Sequence, residues 1–278
     1  AAERVYEVLS TKVEIQDPIK PLDFDKNKKG LIEFKDVSFQ YPGAQEAVLS
    51  HIDFIAEPGK TTAFIGSTGS GKSTLVNLIP RFYDVSEGEI FVDGVNIQQV
   101  KQHDLRDKIG LVPQKGLLFS GTIRSNLTYG APDATDEQLE EVIKVAQAKE
   151  FIDHKEEHLD SKISQGGTNG SGGQKQRLAI ARAIAKNPEI FIFDDSFSAL
   201  DFKTDAMLRQ ELNKMIKKTK NTVLIVGQRI ASIMSADQII VLDKGRIVGK
   251  GKHDELMKDC KVYQEIAYSQ LSKEELGH

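Results

Sequence analysis

The sequence predicts an α/β chain in which a mainly parallel sheet is covered by helices on both faces. An antiparallel portion lies near its start, and a mainly helical insertion near residues 115 to 180. Three observations carry this. "EIFIFDD" and "NTVLIVGQ" are apolar without alternation and are separated by the helical run "FKTDAMLRQELNKMIKKTK", as strands buried on both faces of a parallel sheet require. "LIEFKDVSFQY" instead alternates apolar and polar residues, the mark of a half-buried strand. Between them a glycine-rich loop joins a strand to a helix. At 278 residues and 39% hydrophobic content the chain is long and apolar enough to bury such a core.

The elements follow in order. "AAERVYEVLSTK" reads as a short helix with Val5 and Leu9 apolar, lacking a cap or an initiator methionine, and the chain is expected to be a piece of a longer one. "KVEIQDPIKPLDFDKNKKG", with two prolines and mixed charge, reads as an extended linker. "VLSHIDFIAEPGKTTAFIG" gives two further strands. "KSTLVNLIPRFY" turns helical, with Leu75, Leu78, Ile79 and Phe82 on one face. "GEIFVDGVNIQQV" returns to strands about an Asp-Gly turn, and "KIGLVPQKGLLF" adds a strand ending at a proline. "TDEQLEEVIKVAQAKEFIDH" is one amphipathic helix with Thr135 as N-cap and Glu137 in the first turn. After the loop "SKISQGGTNGSGG" comes the helix "QKQRLAIARAIAKN", stopped by Asn187-Pro188. "DQIIVLDKGRIVGKG" is a hairpin about Lys244-Gly245, and terminal helices close the chain.

Composition excludes several classes. A formal charge of -4, with lysines scattered among acidic residues, offers nucleic acid no basic face. No run of about 18 apolar residues exists, so no segment inserts into a membrane as a spanning helix. The single cysteine, Cys260, forms no internal disulfide, and the histidines show no metal-ligand spacing beyond the His154/His158 pair, which reads as solvated.

The chemistry centres on "GSTGSGKST". Gly66, Ser67, Thr68, Gly69, Ser70, Gly71, Lys72, Ser73 and Thr74 match G-x-x-x-x-G-K-[ST] between the strand "TTAFI" and a helix. Backbone N–H groups of such a loop turn inward to cradle phosphates, aided by the helix N-terminus. Lys72 would reach the β- and γ-phosphates, and the Ser73 hydroxyl would ligate Mg²⁺. Asp194, at the carboxyl end of "IFIF", is the second metal residue. For Asp195 two readings stand side by side, a cap for the following turn and a chemical role.

With "NGSGGQKQR" and "SALD" added, residues 30 to 265 resemble an ATP-binding cassette. "LVPQKGLLFSGTIRSNLTYG" and "AAERVYEVL" resemble an exporter's nucleotide-binding domain and the helix leading out of its membrane domain. The resemblance implies an ABC ATPase fold: a P-loop NTPase core with mainly parallel sheet, an N-terminal antiparallel β subdomain and a helical subdomain bearing the signature. It implies a linker over 1–29 from a transmembrane domain, the cassette over 30–265 and a tail over 266–278. Tyr41 resembles the residue that stacks on adenine, Gln114 the glutamine that senses Mg²⁺ and the attacking water, and Ser198 to Asp201 the loop crossing a dimer interface, with Asp201 near the nucleotide. Ser171, Gly172, Gly173 and Gln174 would serve a partner's ATP in a head-to-tail dimer. Gly170 stands where the family has leucine or another apolar residue.

Two departures meet at one site. The family pattern has glutamate at the position of Asp195 and histidine at that of Gln228. Aspartate retracts its carboxylate, and a misplacement of about 1 Å costs on the order of 100-fold in rate. Glutamine cannot become a cation. What is needed to hold Mg²⁺-ATP is retained, so the resemblance implies a nucleotide-binding, hydrolysis-impaired site. It would belong to one subunit of a heterodimeric bacterial multidrug exporter, at the cytoplasmic side of the plasma membrane. A different cassette subunit and a transmembrane domain, docked through coupling helices near Gln114 to Tyr129, would be its partners. The alternative is a hydrolytically competent homodimeric exporter ATPase. A cassette of DNA repair or chromosome structure would carry long coiled-coil insertions, and only about 100 residues without sustained heptads separate phosphate loop from signature here.

Overall fold

A computed structural model describes residues 2–10, 13–167 and 170–270. Among these the strands are β1 (Ile32–Phe39), β2 (Leu49–Ala56), β3 (Thr61–Gly66), β4 (Glu87–Val92), β5 (Val95–Asn96), β6 (Ile109–Val112), β7 (Gly121–Thr122), β8 (Lys162–Ile163), β9 (Ile190–Asp194), β10 (Thr222–Val226), β11 (Gln238–Asp243) and β12 (Arg246–Gly251). The helices are α1 (Ala2–Ser10), α2 (Lys72–Leu78), α3 (Gln102–Asp107), α4 (Ile123–Leu127), α5 (Asp136–Val145), α6 (Lys149–Asp153), α7 (Gly172–Ala185), α8 (Phe202–Thr219), α9 (His253–Asp259) and α10 (Lys261–Gln270).

The central sheet runs β12-β11-β3-β10-β9-β6, parallel except for β12 at one edge. A second, antiparallel sheet runs β2-β1-β4-β5. The unalternating strands still obey a period of two, because each face meets a different core. In β9, Ile190 and Ile192 join Phe34, Leu75 and Leu78 between the two sheets. Phe191 and Phe193 point the other way, to Leu178 and Leu208 of α7 and α8. That parity carries on to Asp194 and turns it toward α2. A third core lies under the terminal helices, where Ala63, Ile65 and Val241 meet Ile230, Tyr263 and Ala267.

The leading extended segment is tied to this body. Asp17 caps α3 through the Gln102 N–H (2.9 Å), and the Leu22 N–H reaches the Gln99 carbonyl (2.8 Å). Asp93, buried at the β4–β5 turn, accepts the Gly30 N–H (2.6 Å) and pairs with Lys108 (2.9 Å), which also binds Glu189.

Three local expectations are corrected, and the mainly helical insertion gains one detail. Helix α2 ends at Leu78, since Pro80 lacks an N–H and disfavours helical backbone before it. Phe82 therefore leaves the inward face and lies 42% exposed beside the Arg106 guanidinium. The single helix expected over 135–154 is two, α5 and α6, broken where Gln147 takes a left-handed φ of 56°. The helical insertion also holds the small β7–β8 pair. Finally, a boundary between 265 and 266 falls inside α10, whose Ala267 is fully buried. Residues 271–278 of the expected tail lie outside the described residues.

Candidate functional site

A cleft of ≈ 620 Å³ opens at the carboxyl ends of the parallel strands, where an α/β sheet places its ligands. One wall is the loop after β3 and the start of α2, with Gly66, Ser67, Thr68, Gly69, Lys72 and Ser73. Gln114, Asp195 and Gln228 reach in from the ends of β6, β9 and β10. The opposite wall is α10, with Glu265, Ile266 and Gln270.

The loop's shape depends on glycine at two points. A Cβ on Gly66 would run into the Leu242 carbonyl oxygen, and Gly71, N-cap of α2, holds φ at 97° against the Leu49 side chain. Lys72 folds along the loop. Its Nζ donates to the carbonyls of Gly66 (2.9 Å) and Ser67 (2.7 Å) and to Ser70 Oγ (3.3 Å). Burial pulls the ammonium pKa down, opposed by the carboxylates of Asp195 and Asp194. The loop carbonyls thus hold the Lys72 amine against the wall of the cleft.

Ser73 Oγ donates to Asp194 Oδ1 at 2.8 Å, so a hydroxyl and a carboxylate from distant parts of the chain converge on one point. Such hard oxygen donors suit Mg²⁺ and leave room for its waters. Burial pushes the Asp194 carboxyl pKa up, and the nearby Asp195 charge adds to that. A divalent cation would relieve both.

Asp195 adopts φ of 47°, in the left-handed region, while its N–H still continues the ladder to Val226 O (3.0 Å). The turn brings its carboxylate into the cleft. Oδ2 accepts two amide hydrogen bonds, from Gln114 Nε2 at 3.0 Å and Gln228 Nε2 at 2.6 Å. Burial raises its pKa, opposed by these bonds. The turn that follows closes on the Asp195 carbonyl, which accepts the Ser198 N–H (3.4 Å) and hydroxyl (2.9 Å), while the cap of the next helix is Asp201, which accepts from the Thr204 N–H (2.9 Å) and hydroxyl (2.7 Å).

The other sequence-predicted residues stand around or away from the cleft. Tyr41 touches the back of the loop, its hydroxyl 3.0 Å from Thr74 Oγ1 and its ring edge-on to Tyr83. Ser171, Gly172, Gly173 and Gln174 open α7 and line no part of the cleft. There Ser171 Oγ and Gln174 Oε1 form a reciprocal capping box at 3.2 and 3.1 Å.

Two glutamines escaped the sequence reading. Gln176, 1% exposed, accepts the Gly116 N–H (2.8 Å) and donates to the Pro113 carbonyl (3.1 Å), bracketing the segment that carries Gln114. A polar residue on the inward face of "QKQRLAIARAIA" was its signal. Gln270 had none, since its partners lie some forty residues away.

Residues 49–198 match the family model described as ABC transporter. Over 99% of its length the chain is 46% identical to an uncharacterized ABC transporter ATP-binding protein of Mycobacterium tuberculosis, covering 47% of that protein. It is 41% identical over 94% of its length to a Staphylococcus aureus protein named for multidrug export as an ATP-binding/permease protein, covering 45% of it. The chain thus spans about half the length of the curated relatives it matches. A bacterial Atm1-family ABC exporter, solved with ATP bound, superposes with a TM-score of 0.92 at 33% identity, covering 98% of this chain and 47% of that one.

Proposed function

The chain belongs to the ABC transporter family, and from that premise we propose that it is the ATP-binding cassette of a multidrug- or lipid-type exporter whose own catalytic site is impaired. The cleft binds Mg²⁺-ATP. Loop N–H groups and Lys72 hold the phosphates, Ser73 and Asp194 hold the metal with Gln114 near its water shell, and Tyr41 takes the adenine. When bound, Mg²⁺ would supply charge neutralisation for the triphosphate. The signature at α7, which lies outside this cleft, completes the site of a second, different cassette in a head-to-tail dimer. Segment 1–29 leads in from a transmembrane domain at the cytoplasmic side of the plasma membrane. That domain's coupling helices dock on the surface around Leu117, Phe119 and Tyr129, three exposed apolar side chains of which the last two stack at 4.7 Å. No described helix is long and apolar enough to cross a membrane.

The observation that carries the reading is the shared oxygen of Asp195. Two amides converge on Oδ2, which leaves Oδ1, set back by the short side chain, as the oxygen that would have to polarise the attacking water. Aspartate lacks the extra carbon that would carry the group past them. Gln228 donates to that oxygen and has no second, cationic state with which to meet charge developing on the γ-phosphate. Binding groups are intact while both chemical groups are weakened.

The test is steady-state Mg²⁺-ATP turnover at high protein concentration, wild type against Asp195→Glu, Gln228→His. We expect near-silence in the wild type and a gain of roughly 100-fold in the variant. Comparable, substantial turnover in both would replace this reading with a competent homodimer.

A further inference from the structure

We infer that Gln270, the last residue of α10, is a positioning residue that sets the loop carrying Gln228. The inference rests on the role proposed for Gln228. Gln270 Nε2 donates to the Gln228 backbone carbonyl at 2.8 Å, and its Oε1 accepts the Ile230 N–H at 2.8 Å. One side-chain amide therefore grips both sides of the peptide run 228–230, in the pattern by which a neighbouring strand would hold it. Among the described residues neither backbone atom has another hydrogen-bond partner, so the grip fixes the direction in which the residue at 228 leaves the backbone.

The grip is rigid at its far end. Tyr263, Ala267 and Gln270 recur at helical spacing on one face of α10. The first two are fully buried against the core that contains Ala63, Ile65 and Ile230, with the Tyr263 hydroxyl 2.8 Å from His253 Nδ1. The loop's other end is held by α8, where Arg209 donates to the Ser232 carbonyl and Ser232 Oγ donates to Asp205 (3.2 Å). From the gripped end of this loop the Gln228 side chain spans to Asp195 at 2.6 Å. Because the contacts are to backbone atoms, Gln270 would direct a histidine at 228 as it directs the glutamine.

Two measurements test this. In the 278-residue chain, Gln270→Ala should speed amide exchange at Ile230 about tenfold, the loss of one hydrogen bond, with Tm held within about 2 °C. Unchanged exchange overturns the inference. Turnover is then measured in whichever parent hydrolyses ATP. In Asp195→Glu, Gln228→His, adding Gln270→Ala should lower kcat about tenfold at unchanged KM, a split that loss of packing alone would not produce. Gln270→Glu should keep Ile230 protected, since a carboxylate still accepts its N–H, yet lower kcat by repelling the Gln228 carbonyl. If the wild type proves to be the active parent, the impaired-site reading falls and the same kcat comparison is made there. An unaltered kcat, or equal changes in kcat and KM with a lowered Tm, overturns the positioning role.

Discussion

Replacing Gln176 by leucine keeps the volume of a fully buried side chain and removes both ends of a staple. The Gly116 N–H (2.8 Å) and Pro113 carbonyl (3.1 Å) lose their partner, and Gln114 sits between them. Each bond is worth about 1 kcal/mol net, and because this segment is half-exposed, water satisfies part of what is lost. The expected cost is about 2 kcal/mol. With m near 3 kcal/mol/M, the urea midpoint falls by roughly 0.7 M. The local effect is larger than the global one: amide exchange at Gly116 rises more than tenfold while exchange in β9 and β10 follows only the global change. Gln176→Glu separates the two bonds, because a carboxylate keeps the Gly116 N–H and faces the Pro113 carbonyl with a second oxygen. It should protect Gly116 and still destabilise. A leucine variant with wild-type midpoint and wild-type exchange at Gly116 would refute the reasoning, and with it the claim that α7 fixes Gln114.

Two further predictions concern the same region. Asp194→Asn removes a carboxylate whose pKa burial has raised above the ordinary 3.8. A group with a raised folded pKa destabilises progressively as pH climbs from the unfolded value through the folded one. The variant should therefore melt higher than wild type at pH 7 without nucleotide, with the gain shrinking toward pH 4, and differential scanning calorimetry across that range reads it. The same variant should lose Mg²⁺-dependent ATP affinity. Gly170→Leu places an apolar side chain over Leu118, Phe151, Ile163 and Leu178, where a Cβ meets nothing closer than 3.6 Å. It should stabilise by about 1 kcal/mol through burial and reduced unfolded-state entropy, visible as a higher urea midpoint.

The sheet and the phosphate loop were legible because local signals and tertiary needs agree there. "EIFIFDD" has no polar position to spare, so it must be covered on both faces, and its parity alone aims Asp194 at the helix carrying Ser73. Helix ends were less legible. The α5–α6 break rests on Gln147 taking a left-handed backbone inside an unbroken apolar pattern, a cost that tertiary packing meets and no local residue announces. Among the glutamines, Gln114 and Gln228 stood out only through the family resemblance, and Gln176 and Gln270 were least legible. Gln114, Gln176, Gln228 and Gln270 are alike in sequence, and only fold distance decides which carbonyl, amide or carboxylate each one meets.

Under the proposed reading, the two departures from the family pattern are physically one. With glutamate at 195 and histidine at 228, each group would extend toward the γ-phosphate. As aspartate and glutamine, a short carboxylate meets a neutral amide donor, and the two close on each other at 2.6 Å. A buried carboxylate needs donors, and an amide on a loop gripped by α10 supplies one without a protonation event. Reverting Asp195 alone would leave the Gln228 amide aimed at an oxygen that has moved, and reverting Gln228 alone would set a histidine against a carboxylate still held by Gln114. Under the proposed reading each single reversion therefore recovers less than tenfold in turnover, and the pair recovers more than the product of the two. Multiplicative recovery in that double-mutant cycle would mean the residues act independently, and the closed pair would no longer explain the impaired site.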